Sequence, residues 1–115
     1  MILPDRIPKW LRSIAIFLPE LDEGEGAWFK ADAMAVIESL QNTTVAVSDV
    51  ILFDKAPWGY LKSDIGISTG RLFNEEDTDY AERSRRVAIG FIRHFEATND
   101  QMLFVLRFPL LKDAA

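Results

Sequence analysis

Residues 47–83 read VSDVILFDKAPWGYLKSDIGISTGRLFNEEDTDYAER, and this stretch predicts the fold of the chain. Its first part belongs to a segment rich in β-branched residues, which predicts a strand over residues 43–53. Pro57 and Gly59 are turn residues, and residues 60–68 alternate between apolar and polar side chains as a half-exposed strand does. Because the connection is short, we expect the two strands to pair antiparallel. An acidic loop follows and leads into a helix.

The first of these strands changes its alternation part of the way along. Val45 and Val47 share one face, whereas Val50 and Leu52 have the opposite parity. A β-bulge near Ser48-Asp49 would bring both pairs onto one side, because one inserted residue reverses the alternation. A strand buried on both faces explains the same pattern equally well. The sequence leaves these two explanations open.

Two longer helices and a last strand complete the predicted sheet layer. Residues 31–40 carry apolar side chains at helical spacing. A second helix follows Asp79, whose spacing from Glu82 fits a capping box. Residues 102–108 are apolar except for Arg107 and predict a buried strand. The apolar face of the second helix is formed by Tyr80, Ser84, Val87, Ala88, Phe91, Ile92 and Phe95.

The first part of the chain is less regular. Residues 1–19 contain three prolines, and their apolar residues fit either a short helix or a short buried strand. Residues 20–26 are acidic and contain two glycines, which predicts a loop. Together the elements predict one α+β domain over residues 1–115. We expect a small, mostly antiparallel sheet with two main helices packed on one face.

Composition limits the classes of function. The net charge of −5 disfavours binding to nucleic acid or to an anionic membrane, and it favours a basic protein partner. The chain has no cysteine and one histidine, so a single copy cannot build a disulfide or a Cys/His zinc site. We expect no metal and no cofactor. There is no signal-peptide pattern and no apolar run near the roughly 20 residues of a membrane helix, which predicts a cytoplasmic protein.

The acidic loop is the first candidate site. Glu75, Glu76 and Asp77 are followed closely by Asp79, but their spacing does not match a calcium-binding loop. Carboxylates at this position suit the positive end of the following helix dipole. A solvated, helix-capping loop is therefore the simplest interpretation, and a partner-binding surface is the main alternative.

Three further features of the sequence are candidate sites. Trp58 at the predicted turn is either an exposed interface anchor or folded back over the sheet, whereas Trp28 is expected in the core. His94 is the one obvious general base, and no triad pattern surrounds it, so packing at the edge of the core is favoured over catalysis. A salt-bridged solvent face is favoured over nucleic-acid binding for the helical arginines, because Glu82 and Arg86 have i, i+4 spacing. These arginines are Arg83, Arg85, Arg86 and Arg93.

The order of these motifs resembles a family of small bacterial immunity proteins from polymorphic toxin systems. The resemblance covers roughly residues 26–108. It rests on Trp28 before a helix with the pattern Ala33-x-x-Val36-Ile37-x-x-Leu40, the strand containing Asp49-Val50, Trp58, the acidic stretch, Tyr80-x-x-Arg83-Ser84 and the apolar strand 102–108. Members of that family carry two glycines before the Asp-Val pair, where this chain has Val47-Ser48.

The resemblance implies a non-enzymatic inhibitor that binds a cognate toxin, expected to be basic, in the cell that produces it. From the residues we select six positions for partner contact, with carboxylates for charge and aromatic rings for apolar contact. They are Asp49, Trp58, Glu75, Glu76, Asp77 and Tyr80. The alternatives are an adaptor that binds a peptide or its own copy through the edge of strand 60–68, and a hydrolase that uses His94.

Overall fold

The computed structural model describes residues 3–22, 25–96 and 101–109 and places a four-stranded antiparallel sheet at the centre of the chain. The strands are β1 (Glu25–Trp28), β2 (Asp49–Ala56), β3 (Gly59–Ser68) and β4 (Leu103–Arg107), in the spatial order β1-β4-β2-β3. The helices are α1 (Lys9–Ser13), α2 (Lys30–Ser39) and α3 (Asp77–His94). The predicted α+β class is confirmed.

The sheet is buried on both faces around β4. On one face, side chains of α2 and α3 pack against residues such as Leu52, Phe104 and Leu106. On the other face, Phe53 and Val105 belong to a second apolar cluster, which is covered by Ile16, Leu18 and Leu21. The nearly continuous apolar sequence of β4 follows from this double burial, because both alternating sets of side chains leave water.

Strand β2 is also buried on both faces. Val50 and Leu52 lie in the cluster beneath the helices, and Ile51 and Phe53 lie in the opposite cluster. Within β2, the alternative of a strand buried on both faces is therefore correct. Val45 and Val47 nevertheless pack in the same cluster as Val50 and Leu52, so the alternation does change near Ser48-Asp49. The change lies in the irregular chain before β2 and not in a bulge within a continuous strand. The pairing of β2 with β3 is irregular at another place. Ile51 pairs with Gly66, but Phe53 pairs with Lys62, so β3 has more residues than β2 between these two pairs.

The strand predicted over residues 43–53 begins six residues late. Side chains of α3 take the hydrogen-bonding groups that a strand partner would use. The Arg85 guanidinium donates to the carbonyl oxygens of Thr43 and Val45, at 3.0 and 2.7 Å, and the Val47 amide donates to Ser84 Oγ at 3.1 Å. Residues 43–48 therefore run as irregular chain before β2, since their polar backbone groups are satisfied in another way.

The N-terminal segment combines both predicted alternatives. It forms the short helix α1 and then an antiparallel bridge between Ile16 and Ala27. Trp28 is buried as predicted, and its indole N–H donates to the Leu11 carbonyl at 2.8 Å. The loop predicted over residues 20–26 is wrong at its end, because β1 already begins at Glu25. None of the helices in the described residues has the length and apolar character needed to cross a bilayer.

The capping box predicted at Asp79 is also wrong. Helix α3 begins at Asp77, and Glu76 occupies the capping position without a side-chain hydrogen bond to the helix. Asp77 and Asp79 both lie in the first turn, so the expected match between carboxylates and the helix dipole is confirmed.

Candidate functional site

The hairpin separates the six selected residues into two groups. Asp49 pairs with Ser68 at one end of the β2–β3 hairpin, and Trp58 lies in the turn at the other end. Ala56 follows Asp49 by seven positions along β2, which corresponds to about 23 Å of strand. The acidic loop follows directly after Ser68, so it lies at the Asp49 end. Trp58 and the acidic loop are therefore not parts of one compact site.

Glu75 holds the loop of residues 69–77 against α3. Its carboxylate accepts hydrogen bonds from Arg83 Nε and Nη2 at 2.7 and 2.8 Å, and from the Leu72 amide at 2.9 Å. The Arg83 pair, with the Leu72 amide, lowers the pKa of Glu75 from 4.5 to about 2. Glu75 is thus an internal tie within the loop, and its charge is already neutralised by Arg83.

Further contacts fix both ends of the 69–77 loop. Arg71 forms an ion pair with Asp77, and Arg83 Nη2 also donates to the Gly70 carbonyl at 2.7 Å. Tyr80 is buried, and its hydroxyl donates to the Thr69 carbonyl at 2.9 Å. The guanidinium groups of Arg71 and Arg83 lie 5.1 and 5.9 Å from the centre of the Tyr80 ring. Burial raises the pKa of Tyr80, and the charge of Asp49 adds to the effect.

This internal framework exposes two apolar residues that the sequence analysis did not select. Leu72 is 59% exposed, and Phe73 is 93% exposed. The Glu75 amide donates to the Leu72 carbonyl at 3.1 Å, and Asn74 has a positive φ of 61°, so residues 72–75 form a tight turn with Phe73 near its tip. We call Leu72 and Phe73 the apolar tip. Phe73 is the most exposed large apolar side chain among the described residues, which makes the apolar tip a candidate contact.

Two carboxylates next to the apolar tip have no internal ion pair. Glu76 and Asp79 are exposed, and neither forms a salt bridge with another residue in the described part of the chain. Asp77 and Glu75, in contrast, are both paired with arginines. The negative charge available to a partner at this end of the molecule therefore comes from Glu76 and Asp79.

Asp49 has a structural explanation. It lies directly opposite Arg107 on β4, which in turn lies opposite Glu25 on β1. Arg107 donates to Glu25 at 2.6 Å and to Asp49 at 3.4 Å, and Ser48 Oγ donates to Asp49 at 2.7 Å. The carboxylate is half-buried. Asp49 thus forms part of a row of alternating charges across three strands, which explains an aspartate at the start of a buried strand.

The remaining candidates lie elsewhere. Trp58 is 77% exposed at the hairpin turn, so the exposed alternative is correct for this residue. His94 is exposed, and its Nδ1 lies 2.9 Å from the Gly90 carbonyl oxygen. The predicted Glu82–Arg86 pair is present at 3.1 Å, whereas Arg85 is buried rather than part of a solvent face.

The outer edge of β3 has no strand partner among the described residues, but several features oppose strand addition there. The irregular register affects residues 63–65, and the Ile65 amide lies 3.1 Å from Ser63 Oγ, to which it donates. Lys62 and Asp64 add charges to the same stretch. Irregular geometry and charged side chains are common protections of an edge strand. This favours the 69–77 loop over the β3 edge as the candidate contact surface.

Comparison with known proteins adds no information on the contact surface. This chain matches no family model, no curated protein and no solved structure. Within residues 3–22, 25–96 and 101–109, no group of three or more histidine or carboxylate side chains is arranged to hold a metal ion.

Proposed function

We propose that this chain is a bacterial immunity protein that neutralises a cognate toxin by stoichiometric binding in the cytoplasm of the producing cell. The motif order over residues 26–108 motivates the proposal. The single observation that carries it is the 69–77 loop, which hydrogen bonds of Glu75, Arg83 and Tyr80 tie to α3 while Phe73 is left exposed. A loop that is already ordered loses little conformational entropy on binding, so more of the contact energy appears as affinity.

Charge supports a basic partner. The chain has a net charge of −5, and Glu76 and Asp79 remain unpaired within the described residues beside the apolar tip. A negative surface accelerates the encounter with a positively charged protein, and toxins that act on nucleic acid are commonly basic. Rapid capture suits an inhibitor whose target is harmful as soon as it is made.

The proposal is tested by capture followed by a toxicity assay. Tagged chain is used to retain proteins from a lysate of the source bacterium at low and high salt, and retained proteins are identified by mass spectrometry. We expect one basic protein at a stoichiometric ratio, which stops growth when expressed alone in a sensitive host. Coexpression of this chain should restore growth.

Two results would contradict this function. A retained protein that has no effect on growth would indicate an adaptor rather than an inhibitor. A toxic partner whose effect persists when the chain is present in excess would also exclude neutralisation by binding.

A further inference from the structure

We infer that Phe73, supported by Leu72, is the anchor of the toxin interface and enters an apolar pocket on the partner whose rim carries lysine or arginine. The inference rests on the proposed function and assigns the contact to a particular part of the molecule. Phe73 is 93% exposed on a loop that Glu75, Arg83 and Tyr80 tie down through internal hydrogen bonds. The Phe73 ring is left in water by the described fold. Its transfer into an apolar pocket of a partner would therefore be favourable, because apolar surface would be removed from water.

The shape of the loop indicates a concave partner surface. Phe73 and Asn74 occupy the middle of the turn over residues 72–75, with Asn74 in the left-handed region. The turn therefore projects the ring away from the chain that supports it. A projecting aromatic residue gains most when it is fully desolvated in a pocket, and aromatic residues dominate the strongest contacts in protein interfaces.

The charges next to the apolar tip indicate the chemistry of the pocket rim. Arg71 and Arg83 are paired with Asp77 and Glu75, so these four charges cancel within the chain. Glu76 and Asp79 are left over in the described region and are exposed. A partner rim that carries lysine or arginine would complement them, whereas an acidic rim would be repelled.

The same argument does not extend to Trp58. Its ring is also exposed, but it lies at the far end of the hairpin, where Lys55 lies 5.2 Å from the centre of the neighbouring Tyr60 ring. Trp58 lies in the short turn between the paired residues Ala56 and Gly59, and about 23 Å of strand separates Ala56 from Asp49. Trp58 was selected from the sequence as a contact residue, but its position at the far end of the hairpin places it outside the contact inferred for Phe73. It is therefore the matched comparison: an exposed aromatic residue of similar size at a separate place.

The experiment compares three chains against the protein that the wild-type chain retains from the lysate, purified as the probe. The chains are wild type, Phe73→Ala and Trp58→Ala, and affinities are measured by calorimetry and rates by surface plasmon resonance. We expect Phe73→Ala to weaken binding by at least about 30-fold, mainly through faster dissociation. Trp58→Ala should change the affinity by less than about 3-fold. Near-ultraviolet circular dichroism checks that both variants keep the wild-type fold.

A photo-crosslinking measurement tests the pocket itself. The crosslinking amino acid p-benzoylphenylalanine is placed at position 73 in one chain and at position 58 in another. We expect efficient attachment from position 73 only, to a segment of the probe protein that is apolar and bordered by lysine or arginine.

The possible failures are distinguishable. If Phe73→Ala binds the probe protein as tightly as wild type, the anchor assignment is overturned while the proposed function stands. Loss of binding in Trp58→Ala alone would move the interface to the hairpin turn and likewise overturn it. If the wild-type chain retains no stoichiometric protein from repeated lysates, the proposed function fails and the anchor assignment fails with it.

Discussion

At the scale of single residues, Glu75 links the charge of the loop to the stability of the fold. Its pKa is lowered to about 2 because Arg83 and the Leu72 amide stabilise the ionised form. A depressed pKa in the folded state stabilises the protein above the ordinary pKa of 4.5, and this contribution is lost as the pH falls towards 2. We predict that Glu75→Gln lowers the thermal unfolding midpoint at pH 6. The difference from wild type should shrink steadily between pH 5 and pH 2.5.

The control for this prediction is Glu82→Gln. Glu82 pairs with Arg86 across one helical turn, and both side chains are largely exposed. Exposed pairs contribute little, so the difference between this variant and wild type should be small at every pH. Thermal scans monitored by far-ultraviolet circular dichroism measure both series. A Glu75→Gln midpoint that stays equally far below wild type at pH 2.5 would show that the lowered pKa is not the source of the effect.

Gly26 is required because its neighbour is a buried tryptophan. A Cβ atom at Gly26 would lie 2.7 Å from the Trp28 ring and 3.2 Å from Leu3, both of which are buried. We predict that Gly26→Ala destabilises the chain by about 1–3 kcal/mol, as overpacking does. Gly90→Ala is the matched control in an open position of α3, where nothing lies within 4 Å of an added Cβ.

For Gly90→Ala we expect the opposite sign. Alanine replaces glycine inside a helix without steric conflict, which stabilises by about 0.5–1 kcal/mol. Urea unfolding measures both variants. Equal effects in the same direction would mean that the contact between Gly26 and Trp28 does not govern this position.

At the scale of elements, α3 determines where β2 begins. Ser84 lies in the buried face of α3, accepts from the Val47 amide and donates to the Ala81 carbonyl. We predict that Ser84→Ala costs about 1–3 kcal/mol of unfolding free energy, because it leaves a buried amide without an acceptor. Ser13→Ala, which removes an exposed hydroxyl that donates to the Trp10 carbonyl, should stay within about 0.5 kcal/mol of wild type. Similar losses in the two variants would contradict this role of Ser84.

The same contacts explain which elements could be predicted from the sequence. Helix α2 and strand β4 follow local patterns, and the structure contains both close to their predicted bounds. The start of β2 depends instead on Arg85 and Ser84, which are about forty positions away in the chain. Strand β1 was missed because Gly26 has the appearance of a loop residue, although its lack of a side chain serves packing against Trp28.

The sequence indicates where the candidate site lies, but not which residues of it are exposed. The acidic residues point to the loop before α3, because a run of carboxylates at that position is visible without a structure. Their pairing with Arg71 and Arg83 is a property of the folded chain. Phe73 could have been noticed as an apolar residue in a loop with no periodic neighbours. Sequence cannot show, however, that its ring stays in solvent, since Tyr80 in the same region is buried.

At the scale of the whole molecule, the two apolar clusters share one sheet. Leu52 and Phe104 contribute to the cluster beneath the helices, while their chain neighbours Phe53 and Val105 contribute to the opposite cluster. Loss of the pairing between β2 and β4 would therefore disrupt both clusters at once. Because the same two strands line both clusters, we expect the clusters to unfold together.

This arrangement predicts a single cooperative unfolding transition. The test uses a chain with Trp10→Phe and Trp58→Phe, which removes the two exposed tryptophans and leaves buried Trp28 as the fluorescent reporter. Fluorescence of Trp28 follows the cluster beneath the helices, and far-ultraviolet circular dichroism follows the backbone as a whole. The two urea transitions should coincide in midpoint and slope, as they do for one small domain. Loss of Trp28 burial at a lower urea concentration than loss of secondary structure would mean that the sheet does not couple the clusters, and the chain would then unfold in parts.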